Sequence, residues 1–265
     1  MPVVVGITTL PSRIGLIRPC LESLLDGDRP PDRIVLTLPD ALLREADGYD
    51  VPDFLGDRAW HGGIVEIARP PRDYGPGSKL LGALAAIAEP AVLILADDDV
   101  RYARDFVSRF AAAQMAALDR AFSGWTYRCN GLTIGQGCDG FSVWTPHLAG
   151  AQVFFDRCVA GTRFVYQDDL WISFYLALND IRVTEFPAAE GHWYEQVHEV
   201  AALRYQDGEL ERTALTRDGL DHLIAVADMP PTRRARMLAD RHVSHFVGRP
   251  ARRVAGRLQR LVRRD

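Results

Sequence analysis

The feature that most constrains this chain is a set of short apolar runs separated by segments of helical spacing. Residues 3–8, 33–38, 63–68 and 91–96 are each strand-length, and the last run, Ala-Val-Leu-Ile-Leu-Ala, is apolar at every position. Between them, Ile14, Ile17, Leu21, Leu24 and Leu25 recur at helical spacing behind Ser12, a candidate cap, and stop at Gly27. Residues 78–88 and 104–118 read as two further helices. A strand covered on one face alternates apolar and polar residues, whereas one covered on both faces does not. The pattern therefore predicts an α/β fold with a mostly parallel central sheet and helices on both faces. In the second half, 122–129 and 132–144 read as irregular, glycine-rich β structure, 168–178 as a helix, 181–186 as a strand and the rest as mostly helix.

With 48% hydrophobic and 25% charged residues, the chain has the balance of a globular protein, which excludes disorder, collagen and a disulfide miniprotein. No apolar run nears the roughly 18–20 residues of a spanning helix. The opening Met-Pro-Val-Val-Val-Gly lacks the basic and apolar segments of a leader and reads as a first strand, so a cytoplasmic location is expected. Cys20, Cys129, Cys138 and Cys158 form no C-x-x-C pair and read as reduced, packed thiols.

Asp97-Asp98-Asp99 directly follows the apolar run 91–96. Ligands of open parallel sheets bind beyond the carboxyl ends of strands. Three adjacent carboxylates there call for a positive counterpart, and hard oxygens at i and i+2 suit Mg²⁺ or Mn²⁺ completed by phosphates. A solvated acidic turn is the plain alternative. A second feature, Tyr74-Gly75-Pro76-Gly77-Ser78-Lys79-Leu80, leads into a helix whose N-terminus can face an anion. A simple turn capped by Ser78 accounts for its glycines. It does not account for Lys79 being the only lysine among 31 basic residues, which suggests a place that wants a compact ammonium.

These motifs, in this order, resemble the nucleotide-sugar-dependent glycosyltransferases of the GT-A fold, of the bacterial family 2 and exostosin C-terminal kind. The resemblance implies one such domain over 1–230, with a nucleotide-sugar half (1–120) and an acceptor half (121–230). It implies that Asp97 lies near the donor ribose and the metal, that Asp99 ligates Mn²⁺ or Mg²⁺, and that Asp98 and Gly77 belong to the donor site. Lys79 is then expected on the donor diphosphate of a UDP- or GDP-sugar. Thr8, Thr9 and Arg13, in the loop after the first strand, are expected at the nucleotide, with Arg13 on phosphate. The acidic residue usual after the family's second strand is absent; Leu38-Pro39-Asp40 stands there.

Gln167-Asp168-Asp169-Leu170-Trp171-Ile172-Ser173 is similar to the family's acceptor-site helix. The resemblance makes Asp169 the candidate base for the acceptor hydroxyl, with Asp168 beside it; the helix dipole alone also favours acids there. In a retaining enzyme the same carboxylate would stabilise the reacting carbon. Asp139 and Gly140, in Gly-Cys-Asp-Gly, resemble the loop under the donor sugar, although Asp-Gly is also a common turn. In Glu190-Gly191-His192-Trp193-Tyr194, His192 is the expected third metal ligand with His198 as competitor, and Trp193 is a candidate for stacking on sugar.

From residue 233 onward, eleven arginines stand against two aspartates, although the whole chain carries −4. Val254, Leu258, Leu261 and Val262 share a helical face ringed by arginines. Residues 231–265 therefore read as a basic amphipathic tail suited to an anionic membrane surface, with docking on the acidic body as the alternative. No RNA-binding module accompanies it, so no nucleic-acid partner is expected. The expected function is metal-dependent transfer of a sugar to a glycan or lipid-linked hydroxyl acceptor in cell-surface polysaccharide or glycolipid assembly, peripherally on the inner membrane face. The rivals are a sugar nucleotidyltransferase or other metal-dependent phosphate-processing enzyme, and a non-catalytic binding module of the same fold. Thr8-Thr9-Leu10-Pro11 does not match the glycine-rich loop of the nucleotidyltransferases.

Overall fold

The computed structural model describes residues 1–189, 191–198, 200 and 209–239. Seven strands make the central sheet: β1 (Val3–Thr8), β2 (Arg33–Thr37), β3 (Val65–Ala68), β4 (Val92–Leu95), β6 (Arg120–Ser123), β9 (Phe141–Trp144) and β10 (Arg182–Glu185). Their order is β3-β2-β1-β4-β9-β6-β10. β9 runs antiparallel to β4 and β6, and every other pairing is parallel. β5 (Val100–Tyr102) pairs with β11 (Tyr194–Gln196), and β7 (Thr126–Cys129) with β8 (Leu132–Gly135), as small antiparallel ribbons.

The apolar runs have the cause expected of them. Val3, Val5, Ile7, Val92 and Ile94 face one apolar layer, shared with α1 (Arg18–Leu25) and α4 (Phe106–Ala116). Val4, Leu93 and Leu95 face the opposite layer, shared with α3 (Ser78–Ala86), α5 (Ala151–Cys158), α6 (Asp168–Leu178) and α7 (Glu209–Val226). Successive side chains alternate between two covered faces, so every position of β4 and all but the last of β1 are buried. α2 (Arg58–His61) lies before β3, and α8 (Pro231–Ala239) follows α7.

Two local expectations change. Residues 14–16 form a separate 3-10 turn, and α1 starts anew with Pro19 in its first turn, where a missing N–H costs nothing. Ser12 caps no helix: its N–H and hydroxyl donate to Glu45 at 2.9 and 2.6 Å. Ser78 is likewise not the cap of α3. It donates to Asp73 and accepts from the Tyr74 N–H, closing the glycine turn from within.

α3 lies directly on the sheet. A Cβ at Gly6 would run into the Lys79 carbonyl oxygen, and one at Gly82 into the Thr37 side chain. Glycine at both contacts lets the backbones approach without an intervening side chain, and this sets where Lys79 sits. Arg233 of α8 donates to the Leu178 carbonyl at 2.6 Å, tying that helix to the end of α6. The remainder of the basic tail, residues 240–265, lies outside the described residues. No described helix is long and apolar enough to cross a membrane.

Candidate active site

The chain runs β1, β2, β3 to one side of the sheet and returns to β4 on the other side of β1. The carboxyl ends of β1 and β4 therefore flank the topological switch point where open sheets bind ligands. Thr8 and Thr9 follow β1 there, and the triplet follows β4.

The three aspartates face three surroundings. Asp98 is 2% exposed, accepts from the Thr9 hydroxyl and pairs with the Arg13 guanidinium. Burial pushes its carboxyl above the usual range against the pull of Arg13. Asp97 receives the Lys79 ammonium at 2.8 Å, while its backbone N–H donates to the Tyr102 hydroxyl. Asp99 lies 4.0 Å from Arg13 and is pushed up to about 6, by burial first and then by Asp97 and Asp98. Its carbonyl accepts from the Val197 and His198 N–H groups and the Gln196 amide, so the segment leaving β11 wraps around it.

Lys79 connects this cluster to the acidic pair far downstream. Its ammonium is 2.8 Å from Asp97 and 2.9 Å from Asp168, with the residue 4% exposed. Burial opposes its charge, but Asp168, Asp97 and Asp169 together raise its pKa well above the ordinary lysine value. Asp169 accepts the Gly137 N–H at 2.8 Å. Burial, then Asp168, pushes its carboxyl up to about 8, with Lys79 opposing. The pair opens α6, where the helix's unpaired N–H groups favour negative charge.

Several expected site residues have other tasks here. The Arg13 and Lys79 cations, expected on phosphate, are engaged with aspartates. Thr8 donates to the Thr37 carbonyl at 2.9 Å. Gly77 packs under Trp171, whose ring a Cβ would approach to 2.5 Å. Gly140 adopts φ 88°, and a Cβ there would strike Phe106. Asp139 is buried at 2%, with the Cys138 thiol 3.3 Å from its carboxylate. Trp193 cannot stack on a sugar: it is 1% exposed, donates to the Phe186 carbonyl and packs against Phe106, Phe110 and Phe186. An aromatic ring in that cluster gains more from the core than it could from one sugar face.

His192 is exposed on the turn before β11. His198 is the imidazole beside Asp99, and neither of its ring nitrogens has a hydrogen-bond partner among the described residues, although both are buried. One nitrogen of such an imidazole, next to a crowded carboxylate, is a donor that Mn²⁺ could use, the other ring nitrogen keeping its N–H. Among the described residues, no group of three or more His, Cys, Asp or Glu side chains converges to hold a metal by itself. Water and ligand oxygens would complete such a site, as is usual for these ions.

One element at the site carried no signal in the sequence. The segment between β2 and β3 is anchored by Glu45 on Ser12, by the Leu43 N–H on Asp73 at 3.1 Å and by the Tyr49 hydroxyl on the Thr9 carbonyl at 2.8 Å. It brings Arg44 close enough to Arg13 that burial and that like charge lower the Arg44 pKa. Such long-range anchors have no characteristic spacing.

No protein-family model and no curated protein matches the sequence. Solved structures do match the fold. A mannosyltransferase from Pyrobaculum calidifontis, in complex with GDP-Man and Mn²⁺, aligns with TM-score 0.59 and 16% identity over 90% of this chain and 68% of its own. S. aureus TarS 1–349, in complex with UDP-GlcNAc, aligns with TM-score 0.56 and 15% identity over 90% and 71%. Glucosyl-3-phosphoglycerate synthase from Mycobacterium tuberculosis, in complex with Mn²⁺, UDP and glucosyl-3-phosphoglycerate, aligns with TM-score 0.50 and 14% identity over 87% and 81%. At these identities the likeness is one of architecture, and the chain has the GT-A fold of nucleotide-sugar glycosyltransferases.

Proposed function

We propose that this chain is a metal-dependent glycosyltransferase that moves a sugar from a nucleoside diphosphate sugar to a hydroxyl acceptor. One observation carries the reading: Asp97 of the triplet and Asp168 of the downstream pair meet on a single ammonium at the switch point of a GT-A sheet. The GDP-Man, UDP-GlcNAc and Mn²⁺ of the structural neighbours support a UDP- or GDP-sugar as donor.

Asp97 and Asp99 are the residues that would hold Mn²⁺ or Mg²⁺, with water and donor oxygens completing the shell and His198 flanking Asp99. When bound, the metal supplies Lewis acidity to the departing diphosphate. Asp98 takes no direct part; with Thr9 and Arg13 it fixes the loop that presents its two neighbours. Asp169 accepts the acceptor hydroxyl's proton. Gly137 holds its Oδ1, so the proton goes to Oδ2. A base on the face opposite the diphosphate gives inversion at the sugar carbon. Glycan or lipid-linked acceptors, and a station on the inner face of the membrane, rest only on the basic amphipathic sequence of the tail.

The test is a panel of UDP-, GDP- and dTDP-sugars with and without Mn²⁺, read by melting temperature and by nucleoside diphosphate release. Binding to the native state raises the melting temperature by mass action. Release of nucleoside diphosphate supports transfer, and pyrophosphate-dependent triphosphate formation would replace it with a nucleotidyltransferase. Binding without turnover of any donor would leave a binding module.

A further inference from the structure

We infer that Lys79 is a positioning residue that makes the two acidic sites one electrostatically coupled unit, so that a cation arriving at the triplet competes with its ammonium for Asp97. The identity of the two sites rests on the functional reading above; the coupling rests on geometry. The ammonium lies 2.8 Å from Asp97 and 2.9 Å from Asp168, and it reaches them from a helix pressed onto β1 through Gly6. At 4% exposure it cannot serve a donor phosphate without giving up a carboxylate that no other cation among the described residues pairs with.

The surrounding loop is built around it. A Cβ at residue 137 would stand 2.7 Å from the Lys79 Nζ and 3.3 Å from the Asp169 Oδ1. Gly137 therefore makes room for the ammonium while its N–H holds Asp169. The guanidinium fork is wider than an ammonium and would need the space that Gly137 leaves. This gives a physical reason for one lysine in a chain with thirty arginines.

The arrangement has a directional consequence. One ammonium serves carboxylates on both sides. A divalent cation that takes Asp97 shifts the ammonium toward Asp168 and Asp169, which readies the acceptor side when the donor side is filled. With Asp168 gone, the ammonium belongs wholly to Asp97 and holds it more tightly against a metal.

The first measurement is Mn²⁺ binding without nucleotide, followed by the resonance of the free ion. Lys79→Met is expected to bind Mn²⁺ about tenfold more tightly than wild type, because a competing unit charge is removed at contact distance. Asp168→Asn is expected to bind about tenfold more weakly, and to have no effect once Lys79 is replaced. Weaker binding in Lys79→Met indicates a merely structural lysine and overturns the proposal. Unchanged Mn²⁺ binding with lost UDP binding indicates a phosphate ligand and also overturns it. Lys79→Gln, which keeps donors without charge, substitutes if the Met variant does not fold.

The second measurement needs no metal: urea unfolding of Lys79→Met, Asp168→Asn and the double variant. Coupling predicts that the double variant is no less stable than Lys79→Met alone, and additive losses overturn it. Failure of the functional reading has a separate signature, the absence of nucleoside diphosphate release by wild type with every donor, and it leaves both measurements intact.

Discussion

The two acidic regions that meet at Lys79 are held by different means. After β4, three consecutive aspartates diverge: Asp98 into a buried pair with Arg13, Asp97 toward Lys79, Asp99 toward the segment leaving β11. At the start of α6, two aspartates share one helix end: Asp169 accepts the Gly137 backbone N–H and Asp168 shares the Lys79 ammonium. Two side-chain cations thus serve the first region, whereas the second has a share of one cation and a backbone N–H. Neighbouring acids in a motif therefore need not share surroundings, and the middle member of the triplet is engaged within the loop by Thr9 and Arg13.

The comparison can be broken or sharpened experimentally. The largest effect is expected for Asp169→Asn, which removes the base. Sugar transfer should fall about 10²–10⁴-fold with donor KM little changed, measured by nucleoside diphosphate release. An equal rise in donor KM would move Asp169 to the donor side.

Asp98→Ala should cost about 3 kcal/mol in urea unfolding, because it leaves the largely buried Arg13 guanidinium with only Asp99, 4.0 Å away. A loss as small as that of an exposed pair would return Asp98 to the ligand site. His198→Ala should weaken Mn²⁺ binding by roughly 10–100-fold, the usual range for disturbing a metal's protein surroundings, while His192→Ala leaves it unchanged. The reverse ranking would restore the sequence assignment.

The smallest effect concerns pH. Asp169, raised to about 8, keeps its proton in the folded chain where the unfolded chain has lost it. Between about 4 and 8 the native state therefore binds more protons, so its contribution to stability is complete below about pH 4 and lost as pH rises through about 8. In metal-free protein, melting temperature should decline across that window, and Asp169→Asn should flatten the decline. An unchanged slope would mean that the second acidic region is no more strained than an exposed one.

Legibility followed locality. The helix 168–178 is legible to the residue, because its apolar positions and terminal acids all lie within it. β1, β2 and β4 were placed to within a residue or two from their apolar runs. α5 and β5 carry no clear sequence signal, and β11 is a strand where helix is expected, because short elements with mixed composition are stabilised mainly by what they pack against. Trp193 shows the same limit at the site: next to a histidine, a tryptophan looks like a sugar platform, and only its burial against Phe106 and Phe110 shows otherwise.

The sequence alone determined the layered α/β architecture, since strands with no polar position require cover on both faces. It also located two clusters of carboxylates, because like charges gathered beyond a buried strand or at a helix start need a reason nearby. Tertiary structure alone decided that the clusters share one cation, that Arg13 belongs to Asp98, and which histidine approaches Asp99. Those are distances between residues far apart along the chain, and electrostatic interactions depend on separation in space, which composition and spacing do not encode.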